Sequence, residues 1–245
     1  MYCFRCNRKD ISGKNIILDD KKVLHHIKDV LRLKADSKLL VFDDAGNEYK
    51  CVVAEISADK IRLEVKNTVR PAAARIKLAV ACAIPKKAKM DEIIDKLTQL
   101  GVDRIIPLET ERVIVKLDRN KKIDRQRRWQ RIAESASKQC HRNIVPVIEP
   151  VKNMKEVLEE AADYDLKLMP HLEERARSLK EACLRARARN ILVFIGPEGD
   201  FSPQEVRMAE KSGCFPITLG KNVLRVDTAA IAVASFIMLY CPFDK

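Results

Sequence analysis

The chain has 245 residues, 47 of them Lys or Arg and 35 Asp or Glu, for a formal net charge of +12; 47% are hydrophobic and 33% charged. That balance is that of a soluble globular protein, with length enough for one large domain or two modest ones. The uncharged stretch Thr228–Cys241 is too short to cross a bilayer, and Met1–Asp10 lacks the apolar core of a secretory signal, so the sequence predicts a cytoplasmic protein with no membrane partner.

The positive charge is uneven. Residues 1–70 hold 15 Lys and Arg against 11 Asp and Glu, residues 71–142 hold 18 against 9, and residues 143–245 hold 14 against 15. A basic N-terminal half beside a neutral C-terminal part suggests a polyanion held by one and a small molecule held by the other. Of the eight cysteines, only Cys3-Phe-Arg-Cys6 has metal-like or redox-like spacing, and no second pair accompanies it. A zinc site needs about four ligands, so reduced thiols and no metal are expected.

Residues 1–70 read mostly as β. Ile16–Leu18, Lys38–Phe42, Glu48–Ile56 and Ile61–Lys66 are short strands, Asp43–Asn47 is a hairpin turn, and Val23–Leu33 is a helix with Leu24, Ile27 and Leu31 on one face. Several short strands with one helix suggest a small barrel. The stretch Thr68–Ala74, with Pro71, marks a boundary, giving domains over 1–70 and 71–245.

From Arg75 strand and helix alternate: strand Ile76–Ala83, helix Met90–Leu100 closed by Gly101, strand Val102–Leu108, helix Asp124–Gln139, strand Val145–Ile148, helix Met154–Ala162, strand Leu166–Met169 and helix Glu173–Ala188. This is the pattern of a mostly parallel sheet covered on both faces. The basic segment Arg112–Arg142 carries eleven Lys and Arg against three acids. Its helix is expected to bury Trp129, Ile132, Ala133 and Ala136 and to turn Arg125, Arg128 and Arg131 outward, where guanidinium groups can grip phosphates. Trp129 sits at core spacing and is read as packing.

Two corners follow. In Ile191–Phe201 an apolar strand runs into Gly196-Pro197-Glu198-Gly199, and Ser202-Pro203-Gln204-Glu205 then starts a helix with a capping box. Ile217–Leu219 repeats the arrangement as a strand, Gly220–Val226 as a loop, with Asp227 or Thr228 capping a last helix. Strand ends of this kind offer free backbone N–H groups to ligands. Neither corner fits a nucleotide-triphosphate or dinucleotide motif.

Taken together, Phe194-Ile-Gly-Pro-Glu-Gly-Asp-Phe-Ser-Pro-Gln-Glu-Val206 and Leu219-Gly-Lys-Asn-Val-Leu-Arg-Val-Asp-Thr-Ala229 resemble the two signature loops of the RsmE family, ribosomal RNA small-subunit methyltransferases of the SPOUT superfamily. His25-His26-x-x-x-Val30-Leu31-Arg32, Pro85-Lys86 through Lys96-x-x-x-Leu100-Gly101-Val102, Glu111-Arg112 through Lys116, Arg128-Trp129 and Gln139-x-x-Arg142 resemble further motifs in the same order. The resemblance implies an α+β two-domain chain: an N-terminal PUA-like, RNA-binding β-barrel, then an α/β SPOUT domain with a C-terminal trefoil knot. It further implies a homodimer, S-adenosyl-L-methionine as cofactor without metal, and methyl transfer to N3 of a uridine in 16S ribosomal RNA, free or in an assembled small subunit. Alternatives are a SPOUT enzyme acting on a ribose 2′-hydroxyl or another base, and a non-catalytic RNA-binding protein that keeps the fold.

Carried over, the resemblance implies a cofactor pocket of Leu168, Met169, Pro170, Gly196, Pro197, Glu198, Gly199, Leu219, Gly220, Val223, Leu224, Thr228 and Ala229. Arg225 is expected to stabilise a deprotonated uracil, with Glu198 and Asp227 as base or orienting groups and His171 as a further candidate base. Arg32, Arg112, Lys116, Arg125, Arg128, Arg131, Gln139 and Arg142 are the expected RNA contacts. The chain departs from the family pattern at Asp200, where a further glycine is usual, and at Asn222 and Asp227, where arginine and glutamate are common. It departs also at Gln99, Val113, Cys140-His141 and Ala35.

Overall fold

Alternation of buried and exposed side chains builds the first sheet, as in Lys38–Phe42, where Leu39 and Val41 face inward. The computed structural model describes residues 2–43, 46–69, 76–86, 89–112, 117–171, 177–186 and 188–240, without the side chains of 184–186. They divide into two units, Met1–Ala73 with Lys138–Ile144, and Ala74–Ser137 with Val145–Lys245. The short segment from Lys138 is thus part of the first unit, which the linear boundary near residue 70 did not anticipate.

In the first unit β1 (Tyr2–Arg5), β2 (Ile11–Ser12), β3 (Asn15–Leu18), β4 (Lys38–Phe42), β5 (Glu48–Ile56) and β6 (Ile61–Val69) form one sheet in the order β1-β4-β5-β6-β3-β2. The first pairing is parallel and the rest are antiparallel. β1 and β2 were not expected, being too short for a periodic signal. Phe4, Ile16, Leu39, Val41, Val53, Ile61 and Leu63 fill the core with Leu24 and Ile27 from the helical segment. That segment starts two residues earlier than expected. Asp20 Oδ1 accepts from Lys22 N and Val23 N at 2.9 and 3.1 Å, capping α1 (Lys21–His25), and a π-helical turn, His26–Val30, follows. In the β4–β5 turn, where residues 44–45 lie outside the described residues, buried Asp43 accepts from Asn47 N, Asn47 Nδ2 and Tyr49 Oη.

The second unit holds β7 (Lys77–Ala83), α2 (Lys89–Leu100), β8 (Arg104–Glu109), α3 (Arg119–Gln139, its last two residues counted with the first unit), β9 (Val147–Ile148), β10 (Lys152–Asn153) and α4 (Met154–Glu159). Next come β11 (Leu166–Pro170), β12 (Arg177–Ser178), α5 (Leu179–Ala186), β13 (Asn190–Ile195), α6 (Pro203–Lys211), β14 (Cys214–Thr218) and α7 (Val226–Ser235), which ends in a π-helical turn, Phe236–Tyr240. The sheet runs β10-β8-β7-β13-β11-β14-β12, with β9 also beside β8, and every pairing is parallel.

Period-two alternation sorts the strands onto two cores. Leu78, Val80, Cys82, Leu168, Val193 and Ile195 pack with α2, α3, α5 and α7; Ala79, Ala81, Ile106, Met169, Leu192 and Phe194 pack with α4 and α6. Helix α3 begins at Arg119, before the expected Asp124, because Asp118 Oδ1 accepts from Lys121 N at 2.9 Å and supplies the cap. The expected helix Glu173–Ala188 is shorter, as α5, and residues 172–176 lie outside the described residues. The strand expected over Val145–Ile148 keeps only its last two residues. Gly101 closes α2 at φ +97°, with Val102 N donating to Leu97 O at 3.1 Å.

Candidate functional site

Adjacent parallel strands β13, β11 and β14 deliver three loops to one end of the sheet, where the strand order departs from the chain order. A cleft opens there. Pro170 and His171 line it from β11, Ile195–Glu198 and Asp200 from β13, and Thr218–Gly220 and Asn222–Leu224 from β14, with Val226 and Ala229 of α7.

The β13 corner is tied from several directions. Ser202 and Glu205 form the expected capping box: Glu205 N donates to Ser202 Oγ at 3.2 Å and Ser202 N to Glu205 Oε2 at 2.9 Å. Buried Glu205 has a second task, since its Oε1 accepts from Glu111 N at 3.0 Å. Arg112 Nη1 donates to Gly199 O at 2.9 Å and reaches Phe201 O at 3.4 Å. A Cβ on Gly196 would lie 3.0 Å from the buried ring of Phe201, so a side chain here requires that ring to shift; a Cβ on Gly199 would find ordinary contact with Arg112 at 3.7 Å.

Asp200 takes the left-handed conformation, φ +58°, which suits a glycine or a short polar side chain. Its Oδ1 accepts from Phe201 N at 2.8 Å, and its Oδ2 lies 2.8 Å from His171 Nδ1.

The β14 loop is held less. Thr218 Oγ1 accepts from Gly220 N at 3.1 Å, and among the described residues no hydrogen bond engages the N–H groups of Asn222, Val223 and Leu224. The N-cap of α7 is Arg225, with no side-chain cap, rather than Asp227 or Thr228. Asp227 lies in the first turn, where Lys89 Nζ meets its Oδ2 at 2.9 Å; that ammonium holds its carboxyl below the usual range.

Of the expected cofactor residues, Pro170, Gly196, Pro197, Glu198, Leu219, Gly220, Val223, Leu224 and Ala229 line the cleft. Leu168 and Met169 are buried in the two cores instead, because the strand continues through them, and Thr228 is exposed on α7 outside the lining. Gly199 lies outside the lining, and a side chain there would face Arg112. Ile195, Thr218 and Val226 also line the cleft; strand-end position could have found the first two, and the start of the last helix the third. Arg225 is exposed between two lining residues and engages no side-chain partner among the described residues.

The expected RNA contacts separate. Arg32, Gln139 and Arg142 belong to the first unit, and Arg112, Arg125, Arg128 and Arg131 to the second; Lys116 lies outside the described residues. Arg125 and Arg131 are exposed. Arg128 Nε donates to Asp91 Oδ2 at 3.1 Å, and buried Trp129 donates from Nε1 to Asp91 Oδ1 at 3.1 Å, so one carboxylate ties both to α2. Cys3 Sγ lies 3.1 Å from His141 Nδ1, and Cys6 is buried in the first core; among the described residues no group of three or more His, Cys, Asp or Glu is arranged to hold a metal. Nor is any described helix long and apolar enough to cross a membrane.

A parallel α/β unit with a ligand cleft at its strand ends, after a β-rich unit, is a class that comparison with known proteins sharpens. The RNA methyltransferase domain model matches residues 72–238, and the RNA methyltransferase PUA domain model matches residues 18–66. Ribosomal RNA small subunit methyltransferase E of Mesomycoplasma hyopneumoniae is 33% identical over 248 residues, covering 100% of both chains; that of Bacillus subtilis is 32% identical over 222 residues, covering 87% of this chain and 86% of its own. The crystal structure of the Neisseria gonorrhoeae enzyme of that name, bound to S-adenosyl methionine, superimposes with a TM-score of 0.81 at 28% identity, covering 98% of each chain. The chain belongs to the RsmE family of RNA methyltransferases, with a PUA domain followed by an α/β methyltransferase domain.

Proposed function

We propose that the protein binds S-adenosylmethionine in the β13–β11–β14 cleft and methylates N3 of a uridine in 16S ribosomal RNA. The observation that carries this reading is the donor set of the cleft. Ile195, Leu219, Leu224, Val226 and Ala229 offer an apolar wall, the N–H groups of Asn222–Leu224 are free to meet a base edge, and Glu198 offers a carboxylate to a cation. An adenine nucleoside bearing a sulfonium and an ammonium fits those three features. When bound, it supplies an electrophilic methyl group.

The residues of the chain then orient the uridine and handle its proton. N3 is protonated at neutral pH, so a base must remove that proton while a cation stabilises the ring anion. Exposed Arg225, beside the lining residues Leu224 and Val226, is the cation. Glu198, which lines the cleft, is the base, and Asp227, held ionised by Lys89, orients the loop. A PUA-like barrel, a C-terminal trefoil knot and a cytoplasmic homodimer complete the reading. Leu239 and Tyr240, 76% and 59% exposed at the end of the last helix, suit a second copy.

The test is mass mapping of small-subunit RNA after incubation with the protein and S-adenosylmethionine. A methyl group on uridine N3 is expected; a methyl group on a ribose or another base would reassign the enzyme within the superfamily, and no cofactor binding would leave an RNA-binding protein. Arg125→Ala with Arg131→Ala should weaken RNA binding and flatten its log–log salt slope by roughly 0.7–0.9 per lost phosphate contact. An unchanged slope would move the RNA surface elsewhere.

A further inference from the structure

We propose that His171 and Asp200 form a positioning clasp that sets the place of the Glu198 wall of the cleft, an inference that rests on the cofactor reading above. β11 and β13 are hydrogen-bonded neighbours, so the loops leaving their C-terminal ends run side by side. His171 is the first residue past β11. Its N donates to Ile217 O at 3.0 Å, which fixes its backbone to the neighbouring strand, and its side chain is mostly buried. Asp200 is five residues past β13, and its Oδ2 meets His171 Nδ1 at 2.8 Å. The carboxylate therefore links the second loop to a point held by the sheet.

The backbone supports this assignment. Asp200 at φ +58° occupies the left-handed region, which an aspartate tolerates through local hydrogen bonding and a glycine adopts more readily. Asp200 closes its own turn through Oδ1 to Phe201 N, leaving Oδ2 for His171. A glycine would adopt the same φ without strain but could not reach the imidazole. On the far side of the corner, Arg112 holds Gly199 O and Phe201 O from the segment after β8. The Gly196–Phe201 corner is thus fastened from both flanks, and both clasp residues line the cleft. Without the β11 fastening the wall is free to move away from its ligand-bound place, and apparent affinity scales with the fraction of time it remains in that place.

The test combines calorimetric titration of S-adenosylmethionine with thermal melting. Asp200→Gly keeps the backbone geometry and deletes the clasp. Its melting temperature should hold or rise, while Kd rises about tenfold, the factor for a wall in place a tenth of the time. His171→Ala should weaken binding alike, and the double variant should be no worse than Asp200→Gly, because all three variants lose the same His171–Asp200 contact. Asp200→Asn tolerates positive φ, keeps its single oxygen on Phe201 N and turns its amide N–H toward His171 Nδ1, which accepts it when the ring proton sits on Nε2; it should restore most of the affinity. A purely structural role would lower the melting temperature without this affinity pattern, and would overturn the proposal. So would a Kd within about twofold of wild type in both single variants, with wild type binding normally. Absence of binding by the wild-type chain would instead overturn the cofactor reading and the clasp together.

Discussion

The two glycine corners look alike in sequence and differ in how they are held. Gly196–Phe201 is fastened by a capping box, by Arg112, by the Asp200–His171 contact and by a ring packed against Gly196. Gly220–Arg225 has one hydroxyl at its start, no side-chain cap at its end, and Val223 76% exposed. One wall of the cleft is built before a ligand arrives. The other keeps its polar backbone available. A repeated strand–turn–helix pattern specifies where a cleft lies, whereas side chains from other strands decide how firmly each wall stands.

Substitutions can break that contrast. Glu205→Ala strands two N–H groups, those of Glu111 and Ser202, and should cost about 3 kcal/mol in denaturant unfolding. A loss confined to the fraying of α6 would show that the Glu111 tie is dispensable. Arg225→Ala, in the loosely held corner, should leave the melting temperature and cofactor affinity unchanged while lowering kcat about a hundredfold, as for loss of one group aimed at developing charge. Equal losses in kcat and affinity would place it against the cofactor. Gly196→Ala drives a Cβ to 3.0 Å from Phe201 and should destabilise by about 2 kcal/mol, whereas Gly199→Ala, meeting nothing nearer than 3.7 Å, should stay within about 0.5 kcal/mol. Similar melting temperatures for the two would remove the packing argument.

The smallest effect concerns Lys89. Its ammonium depresses the Asp227 carboxyl, so the pair stabilises the fold above the ordinary carboxylate range and that stabilisation is lost as pH falls through the lowered value. Lys89→Met should therefore cost about 0.5 kcal/mol at neutral pH, and its stability curve should merge with wild type once pH has fallen through the lowered Asp227 value. A constant offset at all pH values would mean that Lys89 contributes through its packing alone.

Much of the architecture could be read before the structure. Alternation located the parallel strands, and Ser202 with Glu205 announced α6, because capping and period are local properties of a few neighbouring residues. The strand-end loops likewise pointed to most of the cleft. What escaped depends on distant partners. Counting basic residues in Arg112–Arg142 could not reveal that Arg112 is spent on two carbonyls 87 and 89 residues away, nor that Arg128 answers to Asp91. Asp227 resembled a cap because acids suit helix starts, yet the helix begins one residue before it and Lys89 claims the carboxylate. Leu168 and Met169 were assigned to the pocket from motif position, while their alternation along β11 sends one to each core.

The register of the central sheet bears on how this unit is made. Leu78 pairs with Ile191 and Cys82 with Ile195, so the middle of the sheet joins segments more than a hundred residues apart. On a ribosome β7 emerges long before its neighbour exists, and its apolar residues Leu78–Ala83 must wait unpaired on one side until residue 195 has left the tunnel. Contacts of such separation close large loops before they return any stabilisation, which makes assembly slow relative to a helical bundle of equal size. During that interval the edge of β7 is an open template for other chains, and a nascent or truncated product ending before β13 should accumulate in aggregates rather than as a folded fragment.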